Sequence, residues 1–155
     1  VLAIGRNALY FEDYVLSIQY FNQVIKSKPW LAEPYFYRAV AKINLDDFKG
    51  AEEDCTLCLQ RNPFLTQAYY ARGIARQSQE KYDEAIAFFD EAIEMNPSFA
   101  KAYSERGRAK NLKGDKTGAF EDLKKSLELN PESEEAQKMN GQHSNFDDMY
   151  KGGIF

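Results

Sequence analysis

The chain has little of what chemistry needs. It holds one histidine, His143, and two cysteines, Cys55 and Cys58, in 155 residues. A structural zinc site takes about four N or S ligands, and one Cys-x-x-Cys with a single distant histidine does not supply them. There is no Gly-rich phosphate loop and no metal-ligand cluster. The numerous carboxylates fall on polar helix faces or in turns, their usual place. No catalytic residue, cofactor or metal site is therefore expected, and the chain reads as a non-enzyme. Long apolar runs are also missing. None approaches the roughly 18 residues of a membrane span, so no membrane-spanning helix is expected. The formal net charge is −4. A nucleic-acid partner asks for a basic face, and none is expected here. Proline is scarce as well, with five in the chain, and four of those five carry the organisation.

Lys28-Pro29, Asn62-Pro63, Asn96-Pro97 and Asn130-Pro131 stand 34 residues apart each time. With each unit numbered so that its proline is position 32, the rest falls into register. Position 4 is Val1, Tyr35, Tyr69 and Tyr103, and position 8 is Gly5, Ala39, Gly73 and Gly107. Position 20 is Ser17, Ala51, Ala85 and Ala119, and position 27 is Val24, Cys58, Ala92 and Ser126. Position 24 is Phe21, Cys55, Phe89 and Leu123. Small residues at 8, 20 and 27 let two helices approach, and large ones at 4 and 24 fill the space beside them. Apolar steps of three and four predict helices over about 1–10, 14–26, 33–45, 48–61, 66–79, 82–95, 99–113 and 116–129. Each closing proline stops the second helix of its unit.

A helix–turn–helix period of this length, with these residues at these positions, resembles the tetratricopeptide repeat (TPR) family over residues 1 to about 133. The resemblance implies an all-α, right-handed TPR superhelix, an α-solenoid of four repeats at about 1–31, 32–65, 66–99 and 100–133. A short capping helix would follow up to residue 140, then an apolar tail over 141–155. Val1 already sits inside a repeat, so the chain reads as a fragment or a processed product.

Three features invite a functional role. Cys55 and Cys58 sit at inward-facing positions mid-helix, where cysteine behaves as a small buried hydrophobe rather than a reactive thiol. Arg38, Arg72 and Arg106 recur at position 7. Asp54 and Asp122 stand at position 23 of the same units as Arg38 and Arg106, so ion pairing is expected there rather than phosphate binding. The third unit carries Phe88 at that position, and Arg72 needs another partner.

The third feature is the inner face. In TPR proteins, positions 2, 5, 9, 12 and 13 of the first helices line a groove that holds a peptide. The resemblance assigns this groove to Leu2, Arg6, Leu9, Phe36, Val40, Ile43, Tyr70, Ile74, Gln77, Lys101, Ser104, Arg108 and Asn111, with Glu33 and Gln67 also at position 2. Exposed Phe36, Val40, Ile43, Tyr70 and Ile74 are expected to form one apolar patch that marks a partner site. One TPR class grips a chaperone's C-terminal carboxylate with a Lys/Asn/Arg clamp. Of its positions only Lys101 matches, so chaperone-tail binding is not expected. The expected function is a protein-interaction scaffold that takes a protein or peptide partner in the groove. The alternative is self-association, with the tail Phe146–Phe155 docking in its own or a neighbour's groove to build a homo-oligomer. The stretches FEDYVLSIQYFNQVI and LAEPYFYRA also resemble exported TPR proteins of Bacteroidetes-type bacteria. That resemblance implies a periplasmic or cell-envelope setting, and without it a cytoplasmic one.

Overall fold

The structure, a computed structural model, describes residues 2–10, 13–131 and 155. The expected capping helix and the tail apart from Phe155 lie outside the described residues. Among those described there are eight α-helices and no strands: α1 (Leu2–Tyr10), α2 (Tyr14–Ser27), α3 (Glu33–Asn44), α4 (Phe48–Arg61), α5 (Thr66–Ser78), α6 (Tyr82–Met95), α7 (Ala100–Lys113) and α8 (Lys116–Leu129). The fold is all-α, as the period predicts.

The turns inside the repeats explain the helix starts. Asp13, Asp47 and Asp115 occupy position 16, and each Oδ1 accepts a bond from a first-turn N–H, of Leu16, Gly50 and Gly118 at 3.1, 3.0 and 2.9 Å. Such an N-cap is worth about 1 kcal/mol. The third repeat has Lys81 at this position, with no side-chain cap, and places Asp83 and Glu84 in the first turn instead. Their charge suits the positive end of the helix dipole. Position 15 is left-handed, with φ of 62° at Asp46 and Glu80 and 102° at Gly114.

Between repeats, the position-4 tyrosine reaches back over the proline. The Tyr35 hydroxyl donates to the Pro29 carbonyl at 2.9 Å, and Arg61 Nε donates to the same oxygen at 2.6 Å. The Arg61 guanidinium lies 4.3 Å from the Tyr35 ring centroid. Tyr69 repeats the contact to Pro63 at 3.4 Å. The tyrosine both fills space and fixes the loop.

The chain divides into two compact units, residues 1–80 and 81–155. In the first, each of α1 to α4 packs on its successor, and α3 also packs on α1 and α5. Contact between alternate helices is what stacked helical pairs produce. The core of this unit includes Phe21, Tyr35, Ala39, Ala51, Cys55, Cys58 and Ala68, all buried. Gly5 shows how close the first pair comes: a Cβ there would stand 2.8 Å from Phe21 Cε1. In the second unit α7 packs on both α6 and α8, with Ala85, Phe89, Ala92, Ala102, Ala109, Ala119 and Leu123 buried.

Candidate functional site

The arginine ladder is structural in the repeats where its partners are seen. Arg38 grips Asp54 with two parallel bonds, Nε to Oδ2 at 2.8 Å and Nη2 to Oδ1 at 2.5 Å. Its third nitrogen, Nη1, donates to Asn22 at 2.8 Å, and Lys42 adds a contact to Asp54 at 2.9 Å. Two repeats later the arrangement recurs. Arg106 grips Asp122 at 2.8 and 2.6 Å and reaches Asp90 at 2.9 Å, while Lys110 meets Asp122 at 3.0 Å. Hydrogen bonding to Asp122 pushes the Arg106 guanidinium above its ordinary range. Both aspartates are buried, and paired burial is the usual condition for such charges. In the third repeat, Arg76 at position 11 turns to Glu52 instead. The pairing expected from the sequence is present, while Asn22, Asp90, Lys42 and Lys110 were not foreseen. The signal for Lys42 and Lys110 was a basic residue at position 11, one turn after position 7 on the same helix face.

The expected groove is only partly a surface. Val40, Ile43, Tyr70 and Ile74 are 6, 6, 2 and 1% exposed, and Gln77 and Ser104 are also buried. The contiguous exposed patch is therefore not present. The physical reason is clearest at α3, which packs against α1, α2, α4 and α5; positions 9 and 12 of that helix face its neighbours. Leu9, Phe36, Arg108 and Asn111 are half-buried, and Arg6 and Lys101 are exposed. Ser104 donates its hydroxyl to the Lys101 carbonyl at 3.2 Å. The Leu2 side chain lies outside those described.

Part of the surface of the first unit stays open at the N-terminal end of α3. There a cleft of about 310 Å³ is lined by Glu33, Phe36 and Tyr37 of α3, by Asn62, Phe64 and Leu65 of the α4–α5 loop, and by Thr66 and Gln67 of α5. Its aromatic wall is braced from behind. Tyr37 stacks on buried Phe21 with centroids 5.6 Å apart, and Phe36 tilts against Tyr37 at 5.5 Å. The Arg6 guanidinium lies 5.4 Å from the Tyr37 centroid. Phe36 packs on the buried cluster of Tyr35, Cys58 and Ala68. The loop is shaped by Asn62, whose Oδ1 accepts from the Phe64 N–H at 3.1 Å. That turn leaves the Phe64 ring 80% exposed. Phe36 and Gln67 were expected groove positions. Tyr37, Asn62 and Phe64 were missed. The available signal was an aromatic after the closing proline, Trp30 and Phe64, where the third repeat has Ser98. Both rings are exposed, and a large ring in a loop that the core does not need is a hint of contact with something else.

Cys55 and Cys58 are free and buried. Burial pushes both thiols up, Cys58 to about 11, so neither is a thiolate at neutral pH. Among the described residues no three His, Cys, Asp or Glu side chains are grouped to hold a metal ion, and no helix is long and apolar enough to cross a membrane.

Family comparison agrees with this geometry. Two tetratricopeptide repeat models match, at residues 66–99 and 100–133. Residues 66–133 are tetratricopeptide repeats. Solved TPR-type structures superpose on it over most of its length. A crystal structure of MamA shares 25% identity, covers 84% of this chain and 76% of its own, and gives a TM-score of 0.75. A thermophilic TPR protein from Thermus thermophilus shares 20% identity at a TM-score of 0.76, covering 84% and 73%. The first TPR of Spaghetti (RPAP3), solved bound to the HSP90 peptide SRMEEVD, shares 24% identity at a TM-score of 0.65, covering 68% and 84%. No curated protein matches in sequence. These likenesses establish the TPR solenoid fold and lend no support to a Bacteroidetes-type origin. The repeat type is that of protein-interaction scaffolds.

Proposed function

We propose that this TPR chain binds a segment of a partner protein, and that in the first unit the segment seats at the cleft between the N-terminal ends of α3 and α5. One observation carries the proposal. Phe36, at a position where TPR proteins contact peptides, stays half-exposed beside an 80% exposed Phe64 and a cleft of about 310 Å³, while the apolar residues deeper along α3 and α5 are buried. Ligand clefts begin at about this volume, with apolar walls and a few polar groups that orient the ligand. Asn62, Thr66 and Gln67 provide those groups. The mechanism is apolar burial and shape on a braced aromatic wall, with no covalent step. RPAP3 shows that a TPR of this fold can take a peptide, although the clamp positions here do not favour an acidic tail.

The test is an array of nine-residue peptides of varied sequence, probed with the purified chain and with Phe36→Ala. Truncating a central aromatic anchor costs about 2 kcal/mol, or roughly thirtyfold in affinity. Unchanged binding by Phe36→Ala, with helicity intact by circular dichroism, would reject the cleft as the site.

A further inference from the structure

We infer that the cleft in the first unit selects a cationic side chain, arginine in preference to lysine, on the partner segment. The inference rests on the proposal that this cleft binds a peptide and adds what the peptide must carry. Among the described lining residues Glu33 is the only charged one. Glu33 is exposed and makes no hydrogen bond or ion pair with the described residues. Its place in the first turn of α3 suits the helix dipole, but that role gives the carboxylate no side-chain partner. Phe36, one turn on along the same helix, and the outlying Phe64 line the cleft with it, rings whose faces attract a cation.

Two cations of the first unit that lie on tyrosine rings are already engaged. The Arg6 guanidinium lies against Tyr37. Arg61 is tied to the Pro29 and Leu57 carbonyls and covers the Tyr35 ring. Neither lines the cleft. An acidic side chain entering here would meet Glu33 with no compensating charge. An apolar one would satisfy the rings and leave the carboxylate without a partner. A long basic side chain satisfies both, its stem along the phenyl rings and its head at the carboxylate. Arginine is favoured because its planar fork matches a carboxylate and stacks on rings.

The experiment uses the same array, with each peptide made in four versions whose central residue is Arg, Lys, Met or Glu, and four proteins: the full chain, Glu33→Gln, Glu33→Lys and Phe36→Ala. The expected result is Arg and Lys peptides bound about five to ten times more strongly than Met ones by the unaltered chain, Arg ahead of Lys. Glu33→Gln should bring that ratio to about one, and Glu33→Lys should favour the Glu peptides. Binding that Phe36→Ala abolishes but that shows no basic preference, or a preference unchanged in Glu33→Gln, would overturn this inference and leave the cleft as a peptide site. No binding in any version would overturn both. Circular dichroism and urea melts of each variant separate these outcomes from unfolding.

Discussion

Repeats 2 and 4 share one frame and carry different faces. In both, an arginine at position 7 and a lysine at position 11 converge on a buried aspartate at position 23: Arg38, Lys42 and Asp54 in one, Arg106, Lys110 and Asp122 in the other. Both start the second helix with an aspartate cap, Asp47 or Asp115. Their first helices then diverge. Helix α3 sets out Phe36, Val40 and Ile43 where α7 has Ser104, Arg108 and Asn111. The ties within a pair answer to the fold, so the same geometry selects the same residues twice. The face residues answer to what lies beside them and are free to change. Repeat 3 abandons parts of the frame, with Phe88 in place of the aspartate and Lys81 in place of the cap.

The two frames are alike in shape and unequal in support. Without Asp54, the side-chain hydrogen bond that Arg38 keeps among the described residues is to the neutral Asn22. Without Asp122, Arg106 keeps the carboxylate of Asp90. Removing one partner of a buried pair costs about 3–5 kcal/mol, and the partly exposed cations here put both sites at or below the low end. Asp54→Ala is expected to lose about 3 kcal/mol and Asp122→Ala about 2 kcal/mol in urea unfolding. Equal losses, or a larger one at Asp122, would show that the second acceptor adds nothing.

A pH difference sharpens the same comparison. Positions 24 and 27 carry thiols in repeat 2, Cys55 and Cys58, but Leu123 and Ser126 in repeat 4. Burial raises the folded thiol values above the ordinary 9.0, for Cys58 to about 11. A raised folded value means the unfolded chain releases its proton first. Stability from these groups is fully present below about pH 9 and is lost as pH rises toward about 11. Urea midpoints of the native chain should fall over that window. Cys55→Ala/Cys58→Ala should be less stable at pH 7 and flatter above pH 9. Parallel profiles would remove the thiols from the account.

Helix positions and the Arg–Asp ties were legible because both follow from period. Residues 16 apart in a 34-residue repeat, one basic on the first helix and one acidic on the second, face each other wherever the pair folds. The face of α3 was not legible in the same way. Periodicity shows that Val40 and Ile43 are apolar. It does not show which apolar positions a neighbour covers when a helix is flanked on several sides. The cleft was harder still, since Asn62, Phe64 and Leu65 of its lining come from the irregular loop after α4, where no period exists. Only the recurrence of Trp30 and Phe64 pointed there.

The smallest effects belong to position 15, where repeats 2, 3 and 4 adopt the same left-handed backbone with Asp46, Glu80 and Gly114. A left-handed residue with a Cβ costs roughly 1–2 kcal/mol, and less for Asp, whose short side chain tolerates it. Glycine removes that strain but adds unfolded-chain entropy, about 0.5–1 kcal/mol. The side chains of Asp46 and Glu80 are exposed, so little packing is lost. Glu80→Gly should therefore gain about 0.5 kcal/mol, Asp46→Gly should be close to neutral, and Gly114→Ala should lose about 1 kcal/mol. Thermal melts of the three variants check the order. A loss in Glu80→Gly would mean that its side chain contributes to the third repeat, the one that lacks the aspartate cap and the position-23 acid.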